Sequence, residues 1–531
     1  MPARARPRTA EPPNRRTDAR ASVRDTKRRE GSVDPIATAR RAARARDRAD
    51  ARAIDARMGD GSSARATRVA RAARPLALYA LACGALTLAT STCASASTRA
   101  AGAPRGVAFA LAHALALGRL SGALAERWPP TPALTAQTLA GTLLRNVPGA
   151  REAIGGAVDA DASTLARALA LGLILSRAGL ALDATTARRR AREVAALAAT
   201  PGTLEMLTTT ALGTALFELP IATAFALGFL LSGISLAVVI PPAVAMKREG
   251  LGVEAGVPDL VVAASSFDGI LCIVGFGVCG GVVAAGGGAS AMAWKVPTQL
   301  VVGALGGVGA AELATRSGLL SAPGNRASAT SDASMILSVV LLILFAAKRL
   351  EVNGGGALAS IAFCVAVSSA WKSRGMEDAL KETTAFMNAL WAEFAAPLLF
   401  VIIGCTLDLH VMTGDVAAKA IGIIALGGIA RALGVFLSTA ASESMNLRER
   451  AFIALAWTPK ATIQAALANV VYDQAIAAHG IGSPEALDGE KLLQTALLSI
   501  LITAPLGAWC IAFFAPRLLK QETKPVAIAV A

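Results

Sequence analysis

Residues 233–276 read GISLAVVIPPAVAMKREGLGVEAGVPDLVVAASSFDGILCIVGF, and they hold two features that the hydrocarbon core of a membrane normally excludes. The pair Pro241–Pro242 lies inside an apolar span and predicts an interrupted helix, because proline has no backbone N–H to donate. Asp268 lies in the middle of the next apolar span, where a charge costs about 2.5–3.5 kcal/mol on insertion scales. An interrupted helix beside an intramembrane carboxylate is typical of ion sites in secondary transporters.

The composition of the whole chain agrees with a membrane protein. Of the 531 residues, 54% are hydrophobic, although the N-terminal region is strongly polar. From residue 75 onward, about fourteen apolar segments are long enough to span a bilayer. The first covers about 75–97, the second begins near 106, and the last covers about 491–515. The predicted fold class is therefore all-α, a polytopic membrane protein with about 14 transmembrane helices.

Three regions are predicted along the chain. Residues 1–74 contain 21 Lys and Arg against nine Asp and Glu, most of the net charge of +15, and lack apolar periodicity. We interpret them as a disordered basic tail, with a cleaved transit peptide or an anionic-lipid patch as alternatives. Residues 75–519 form the membrane domain and 520–531 a C-terminal tail. Lys and Arg concentrate in the loops after even-numbered spans, which predicts both termini on the cytoplasmic side.

A second interrupted helix is predicted at 450–475, RAFIALAWTPKATIQAALANVVYDQA, where Pro459 and Lys460 lie inside the span. It comes seven spans after the Pro241–Pro242 helix, and Arg431 comes seven spans after Glu205. Because seven is odd, two such halves would be inverted relative to each other, and matching positions would come together near the middle of the fold. Glu205 and Arg431 are predicted to form a buried ion pair, since either charge alone would be very costly.

Asp268 is the residue that we expect to carry the chemistry. A carboxylate within the membrane can hold a proton or a bare cation but hardly both, so the two ions compete for it. This competition produces exchange when a rigid-body rocking motion exposes the carboxylate first to one side of the membrane and then to the other. The structural alternative is a carboxylate satisfied by the hydroxyls of Ser265 or Ser266. Ser235 and Thr462, near the two breaks, are candidate oxygen ligands for a hard cation.

The two basic residues are assigned different roles. Arg431 stays protonated at any working pH, so it cannot carry the exchanged proton. Lys460 follows a helix-breaking proline, and its ammonium group either neutralises freed carbonyls or pairs with Asp268. No phosphate-binding loop is present, and the His and Cys residues are scattered. We therefore expect a transporter that is not an enzyme, with no cofactor, no ATP-driven step and no nucleic-acid partner.

At these residues the chain resembles the cation:proton antiporters, specifically the NHA-type sodium/hydrogen exchangers of solute carrier family 9, subfamily B. The resemblance covers nearly all of residues 130–520, and the motifs that carry it are TLLRNVPG (142–149), LSRAGLALD (175–183), GISLAVVIPP (233–242), LGVEAGVPDL (251–260), SSFDGIL (265–271), WAEFAAPLLFVIIG (391–404), AWTPKATIQAA (456–466) and LLSILITAPLGAW (497–509).

The resemblance implies an NhaA-like inverted repeat, with a core domain of crossed broken helices and a scaffold domain that forms a homodimer in the lipid bilayer. It implies exchange of Na⁺ or Li⁺, with K⁺ as a further candidate, for H⁺, with the metal ion bound transiently at Asp268. Asp268 matches the first acid of the family's Asp-Asp ion site. Arg431 matches the basic residue on the facing core helix, and Glu205 matches its partner. We expect the protein in the plasma membrane or in an organelle membrane, that of a mitochondrion or plastid included.

Two positions depart from the family pattern. Gly269 stands where the family has its second aspartate, and Leu236 replaces the proline of its serine-proline break. One carboxylate carries one charge, so we expect electroneutral exchange of one cation per proton. The alternative is a non-transporting or regulatory antiporter-like membrane protein, which a dry, collapsed site at Gly269 would favour. A third reading, a sodium-coupled symporter of an organic anion, would require a larger cavity with cationic walls.

Overall fold

A computed structural model describes residues 107–127, 131–155, 160–182, 190–284, 289–323, 327–350, 352–440, 442 and 445–521. The predictions for the basic tail, for the first span at 75–97 and for nearly all of the C-terminal tail lie outside these residues. Within the described ranges the named elements of secondary structure are all helices, and an isolated β-bridge joins Leu251 and Gln521. The all-α class is confirmed.

The described helices follow one another through short connections. In chain order they are α1 (Val107–Ala125), α2 (Ala133–Asn146), a π-helix (Arg151–Gly155), α3 (Ala160–Ala181), α4 (Ala191–Phe217), α5 (Ile221–Ser232), α6 (Leu236–Glu249), α7 (Val257–Ala284), α8 (Ala289–Arg316), α9 (Ala329–Arg349), α10 (Asn353–Ser373), α11 (Glu377–Leu390), a second π-helix (Trp391–Ala395), α12 (Ala396–Gly404), α13 (Gly414–Thr439), α14 (Leu447–Ala456), α15 (Thr462–Leu467), α16 (Val470–His479) and α17 (Pro484–Leu518).

Every predicted span that falls within the described ranges contains a helix. Eight of the helical segments in this part of the chain are long and apolar enough to cross a membrane by length and composition. The predicted count of 14 is therefore not established, whereas the polytopic architecture is. Two of the eight, Ile221–Glu249 and Glu377–Gly404, consist of two or three shorter helical pieces.

The first interruption lies at Gly233–Ser235, and the prediction that Pro241 and Pro242 break this span is wrong. Both prolines lie inside α6, which runs unbroken from Leu236 to Glu249. Tertiary hydrogen bonds explain the difference, because they satisfy the freed backbone groups at 233–235 and so make a break there inexpensive. The family resemblance, which aligned Ser235 and Leu236 with a helix break, indicated the correct position.

The second interruption separates α14 from α15 and contains Pro459 and Lys460. A capping box of Asn446 and Glu449 fixes the start of α14 on the far side. The two interruptions meet, since the backbone N–H of Ser235 donates to the carbonyl oxygen of Pro459 at 2.8 Å. The crossing of two broken helices thus rests on a direct bond between their irregular segments.

Helices α4 and α13, which belong to spans seven apart, pack along each other at this crossing. Their backbones approach closely where a Cβ at Gly434 would collide with the backbone of Pro201. Only glycine allows such an approach at that position. The close packing brings the side chains of Glu205 on α4 and Arg431 on α13 to the same depth, beside the two breaks.

Candidate functional site

Four charged side chains meet at the crossing of the broken helices. They come from four separate elements, and each is at most 2% exposed: Glu205 on α4, Asp268 on α7, Arg431 on α13 and Lys460 in the second break. We call them the central cluster. Two carboxylates and two cations balance in charge, which is the condition under which buried ionic groups are tolerated.

Arg431 lies at the centre of this cluster. Its Nη1 donates to Glu205 Oε2 at 2.7 Å, and its Nη2 donates to both carboxylate oxygens of Asp268 at 3.0 Å. The same guanidinium donates to two backbone carbonyls, that of Trp457 through Nε at 2.8 Å and that of Ser232 through Nη1. These carbonyls end α5 and α14, where helical donors are missing. One side chain therefore pairs with both acids and caps both broken helices.

Lys460 pairs with Glu205, which corrects the expectation that it neutralises carbonyls or pairs with Asp268. Its Nζ lies 2.7 Å from Glu205 Oε1 and 2.8 Å from Oε2. The backbone explains this direction, because the N–H of Lys460 is held by Thr503 Oγ1 at 3.0 Å. Glu205 consequently has two cationic partners, Lys460 and Arg431.

Asp268 is completely buried. Besides Arg431, its described partner is the backbone N–H of Ile234 in the first break, which donates to Oδ2 at 3.0 Å. The hydroxyls of Ser265 and Ser266 donate instead to the carbonyl of Val262 in their own helix. The acid is thus held by the cluster and by the break, not by neighbouring hydroxyls as the structural alternative required.

The two candidate hydroxyl ligands lie at the two breaks. The Ser235 Oγ is buried and has no hydrogen-bond partner among the described residues. Thr462 is buried as the first residue of α15. In the part of the chain that the structure describes, neither hydroxyl bonds to Asp268, so their part in binding a cation remains a proposal. An unpaired buried hydroxyl costs about 1–3 kcal/mol, and a cation would relieve that cost at Ser235.

The position of the family's second acid is lined by an apolar side chain. A Cβ placed on Gly269 would lie 3.5 Å from Cδ1 of Ile463, an ordinary van der Waals contact. Space for a side chain therefore exists at Gly269, although the nearest described neighbour is a methyl group. The described neighbour is thus apolar, as the non-transporting alternative expects.

Two cavities lie at opposite ends of α3, which contributes Ala181 to one and Ser163 to the other. One, of about 260 Å³, is lined by Lys247 and Asp259 at its mouth and by Ser266 and Phe267 at its inner end. The other, of about 430 Å³, is lined by Arg145, Asp408 and other polar side chains. Asp268 lines neither of them, so the described conformation is occluded at the acid.

The second cavity holds a charged pair that sequence reasoning missed. Arg167 on α3, which is 5% exposed, forms an ion pair with Asp473 on α16 and donates to Ser163 Oγ at 2.6 Å. A signal was available, because Arg167 lies within the predicted span 162–182, where an unpaired charge would be expensive. Its partner could not be found, since 306 residues separate the two.

Comparison with known proteins gives the class. A family model described as "Sodium/hydrogen exchanger, transmembrane" matches residues 78–515. Human sodium/hydrogen exchanger 9B2 is 32% identical over 393 residues, 74% of this chain and 71% of that protein. Human sodium/hydrogen exchanger 9B1 is 29% identical over 397 residues, covering 75% of this chain and 74% of that protein.

The fold is also similar to that of a solved transporter. The sodium proton antiporter MjNhaP1 from Methanocaldococcus jannaschii, in a structure at pH 8, matches with a TM-score of 0.62 at 20% identity, covering 77% of this chain and 97% of that one. The protein is thus an integral, multi-pass membrane transporter and not an enzyme. It belongs to the sodium/hydrogen exchanger family, which confirms the resemblance drawn from the motifs.

Proposed function

We propose that the protein exchanges Na⁺ or Li⁺, with K⁺ as a further candidate, for H⁺ by alternating access, using Asp268 as the single exchanging carboxylate. The observation that carries the proposal is the position of Asp268, wholly buried where two interrupted helices meet, with its charge matched by Arg431. Family membership and the names of the relatives support sodium and protons as the two ions.

The geometry supports a competition at Asp268. Arg431 holds Glu205 through Nη1 and Asp268 through Nη2. A proton or a metal ion on Asp268 would cancel the charge that attracts Nη2, while Nη1 stays on Glu205. Both ions would therefore bind by weakening the same ion pair, so they would exclude each other. One carboxylate that takes either one proton or one monovalent cation gives one-for-one, electroneutral exchange.

The two cavities support alternating access. The cavity with Lys247 lies at the end that the distribution of basic loops assigns to the cytoplasm, and it reaches Ser266, two residues before Asp268. The Arg167–Asp473 pair lies at the opposite end. Rocking of the crossed helices as a unit would connect Asp268 first to one cavity and then to the other.

The direct test uses the purified protein in proteoliposomes with a trapped pH indicator and an imposed pH gradient. Added NaCl, LiCl or KCl should dissipate the gradient for the transported cations, with the choline salt as the blank. Clamping the membrane potential with valinomycin and potassium should leave the sodium- or lithium-driven rate unchanged. A silent protein would refute exchange, whereas a rate that follows the potential would refute electroneutrality.

The second candidate is a non-transporting protein that keeps the fold. The apolar side chain of Ile463 facing the position of a Cβ at Gly269 and the complete burial of Asp268 favour it. Both candidates predict the same fold, and the proteoliposome assay separates them. Binding of Na⁺ to a non-transporter is equally separable, because a cation that binds the folded state raises the melting temperature without any flux.

A variant at Gly269 tests the role of the missing acid. Gly269→Asp should be accommodated, since its Cβ has room at 3.5 Å from Ile463, and it adds a second negative charge beside Asp268. The exchange rate should then become dependent on membrane potential, because the site can hold one more positive charge than before. The measurement is the rate with and without the valinomycin clamp.

Gly269→Ala, which adds the Cβ without the charge, is the matched control and should remain insensitive to potential. If Gly269→Asp exchanges ions with the same indifference to potential, the number of carboxylates at this position does not set the charge moved per cycle.

The assembly and the membrane remain proposals drawn from the resemblance. We propose a homodimer in the lipid bilayer, either at the plasma membrane or in an organelle membrane such as that of mitochondria or plastids. Light scattering of the detergent-solubilised protein, corrected for bound detergent, tests the first of these, and localisation of a tagged chain tests the second.

A further inference from the structure

Gln464 is a buried residue that joins the second broken helix to the first. It is the third residue of α15 and has no exposed surface. Its Nε2 donates to the carbonyl oxygens of Leu230 at 2.7 Å and of Gly233 at 2.9 Å. Both carbonyls belong to the C-terminal end of α5, where the helix stops and its own N–H donors are missing. The amide therefore fills a gap in the backbone of the other interrupted helix.

One of these bonds leads directly to Asp268. The Gly233 carbonyl and the Ile234 N–H are the two ends of one peptide unit, and in a trans peptide they point in opposite directions. Gln464 holds the oxygen end at 2.9 Å, while Asp268 accepts from the N–H end at 3.0 Å. Gln464 thus holds the carbonyl end of this peptide, and Asp268 accepts a hydrogen bond from its N–H end.

The orientation of the amide follows from its partners. Reversing the Gln464 side chain would place Oε1 against two carbonyl oxygens, which can only accept hydrogen bonds. In the observed orientation, Oε1 is buried and has no partner among the described residues. A buried acceptor left unpaired costs about 1–3 kcal/mol. The contribution of Gln464 therefore comes from the hydrogen bonds that its Nε2 donates.

The surroundings leave little freedom for another solution. A Cβ added to Gly233 would lie 2.7 Å from Cδ1 of Ile463, the residue next to Gln464. A side chain at position 233 would therefore require the terminal methyl group of Ile463 to shift. On its carbonyl side the peptide that faces Asp268 is bonded by Gln464 of α15.

We propose that Gln464 is a positioning residue for ion exchange, which keeps the Gly233–Ile234 peptide turned so that its N–H faces the carboxylate of Asp268. This inference rests on the proposed function of Asp268. When a cation displaces Nη2 of Arg431, the Ile234 N–H is the described partner that stays on the carboxylate. The direction in which the free oxygen meets the cation then depends on this peptide, and through it on Gln464.

The transport test replaces the amide by an apolar group of similar size. Gln464→Leu should raise the sodium concentration for half-maximal exchange about tenfold, with the maximal rate within about threefold of the wild type. The matched control is Gln299→Leu, which removes another buried amide, one that accepts from the Gly355 N–H at 3.3 Å, far in sequence from both breaks. The control should keep the wild-type half-saturation. Equal half-saturation in both variants would overturn the proposal.

A second measurement does not require transport. Hydrogen exchange of the peptide covering 230–236 should be at least about tenfold faster in Gln464→Leu than in the wild type or in Gln299→Leu, because the break loses its clamp. If the leucine variant does not fold, Gln464→Asn, which keeps the amide on a shorter chain, serves the same measurement. Its exchange rate should lie between that of the wild type and the rate expected for Gln464→Leu. Unchanged exchange would overturn the proposal. A wild-type protein that shows no transport would instead refute the proposed function. The hydrogen-exchange result does not depend on transport, so the two failures can be told apart.

Discussion

Asp268→Asn is expected to abolish sodium- and lithium-driven proton movement, with a loss of at least about 100-fold in rate. The asparagine has the same shape and can still accept from the Ile234 N–H. It cannot hold a monovalent cation by charge or release a proton, and a 100-fold loss corresponds to about 2.8 kcal/mol. The measurement is the proteoliposome assay with each alkali cation.

Asp332→Asn is the matched control for the loss of a buried acid. Asp332 is 1% exposed, and it accepts from Ser321 N at 2.9 Å and from Ser321 Oγ at 2.6 Å, without contact to the central cluster. That variant should keep the wild-type half-saturation for sodium even if it is less stable. Exchange by Asp268→Asn at a rate within twofold of the wild type would show that the exchanging carboxylate lies elsewhere.

Arg431→Met should cause the largest loss of stability of any single change in the central cluster. It leaves Asp268 as an uncompensated buried charge and uncaps the carbonyls of Ser232 and Trp457. Breaking a buried pair in this way costs about 3–5 kcal/mol, and the two carbonyls add to that. The thermal melting temperature in detergent, followed by intrinsic tryptophan fluorescence, is the readout, and exchange should be lost as well.

An exposed pair provides the control for this variant. Arg316 bonds to Glu312 one helical turn away at 2.5 Å, with both side chains at least half exposed. Arg316→Met should cost at most about 1 kcal/mol, as expected for a surface ion pair. Combining Arg431→Met with Asp268→Asn should recover part of the lost stability, because the double variant no longer buries a bare carboxylate there. A melting temperature for Arg431→Met equal to that of the control would contradict the central role of this arginine.

The elements that sequence reasoning could predict were those with a local signal. Apolar length marks the spans, and a charge within such a span stands out at Asp268, Glu205 and Arg431. The second break was predictable because Pro459 lies within it. The first break was not, since its position depends on bonds from Asp268, Gln464 and the Pro459 carbonyl, which come from distant parts of the sequence.

The partners within the site were harder to predict than its members. Lys460 was available to either acid, and the Thr503 bond to its backbone, which helps to set the choice, has no signature in the sequence. Gln464 lies in a motif that was recognised, AWTPKATIQAA, but an amide in an apolar helix does not indicate which carbonyls it will meet. Such pairings depend on how the helices cross in three dimensions. The sequence pattern indicates the order of the spans but not which side chains meet at the crossing.

The bond between Ser235 N–H and the Pro459 carbonyl restricts how the protein can move during a cycle. With Arg431 also spanning both irregular segments, neither half-helix has an independent hinge at the crossing. Displacement that exposes the acid must then occur at the periphery of this assembly. The free energy of the conformational step would accordingly be set by the surfaces that surround the crossing, while the hydrogen bonds that join the two breaks stay intact.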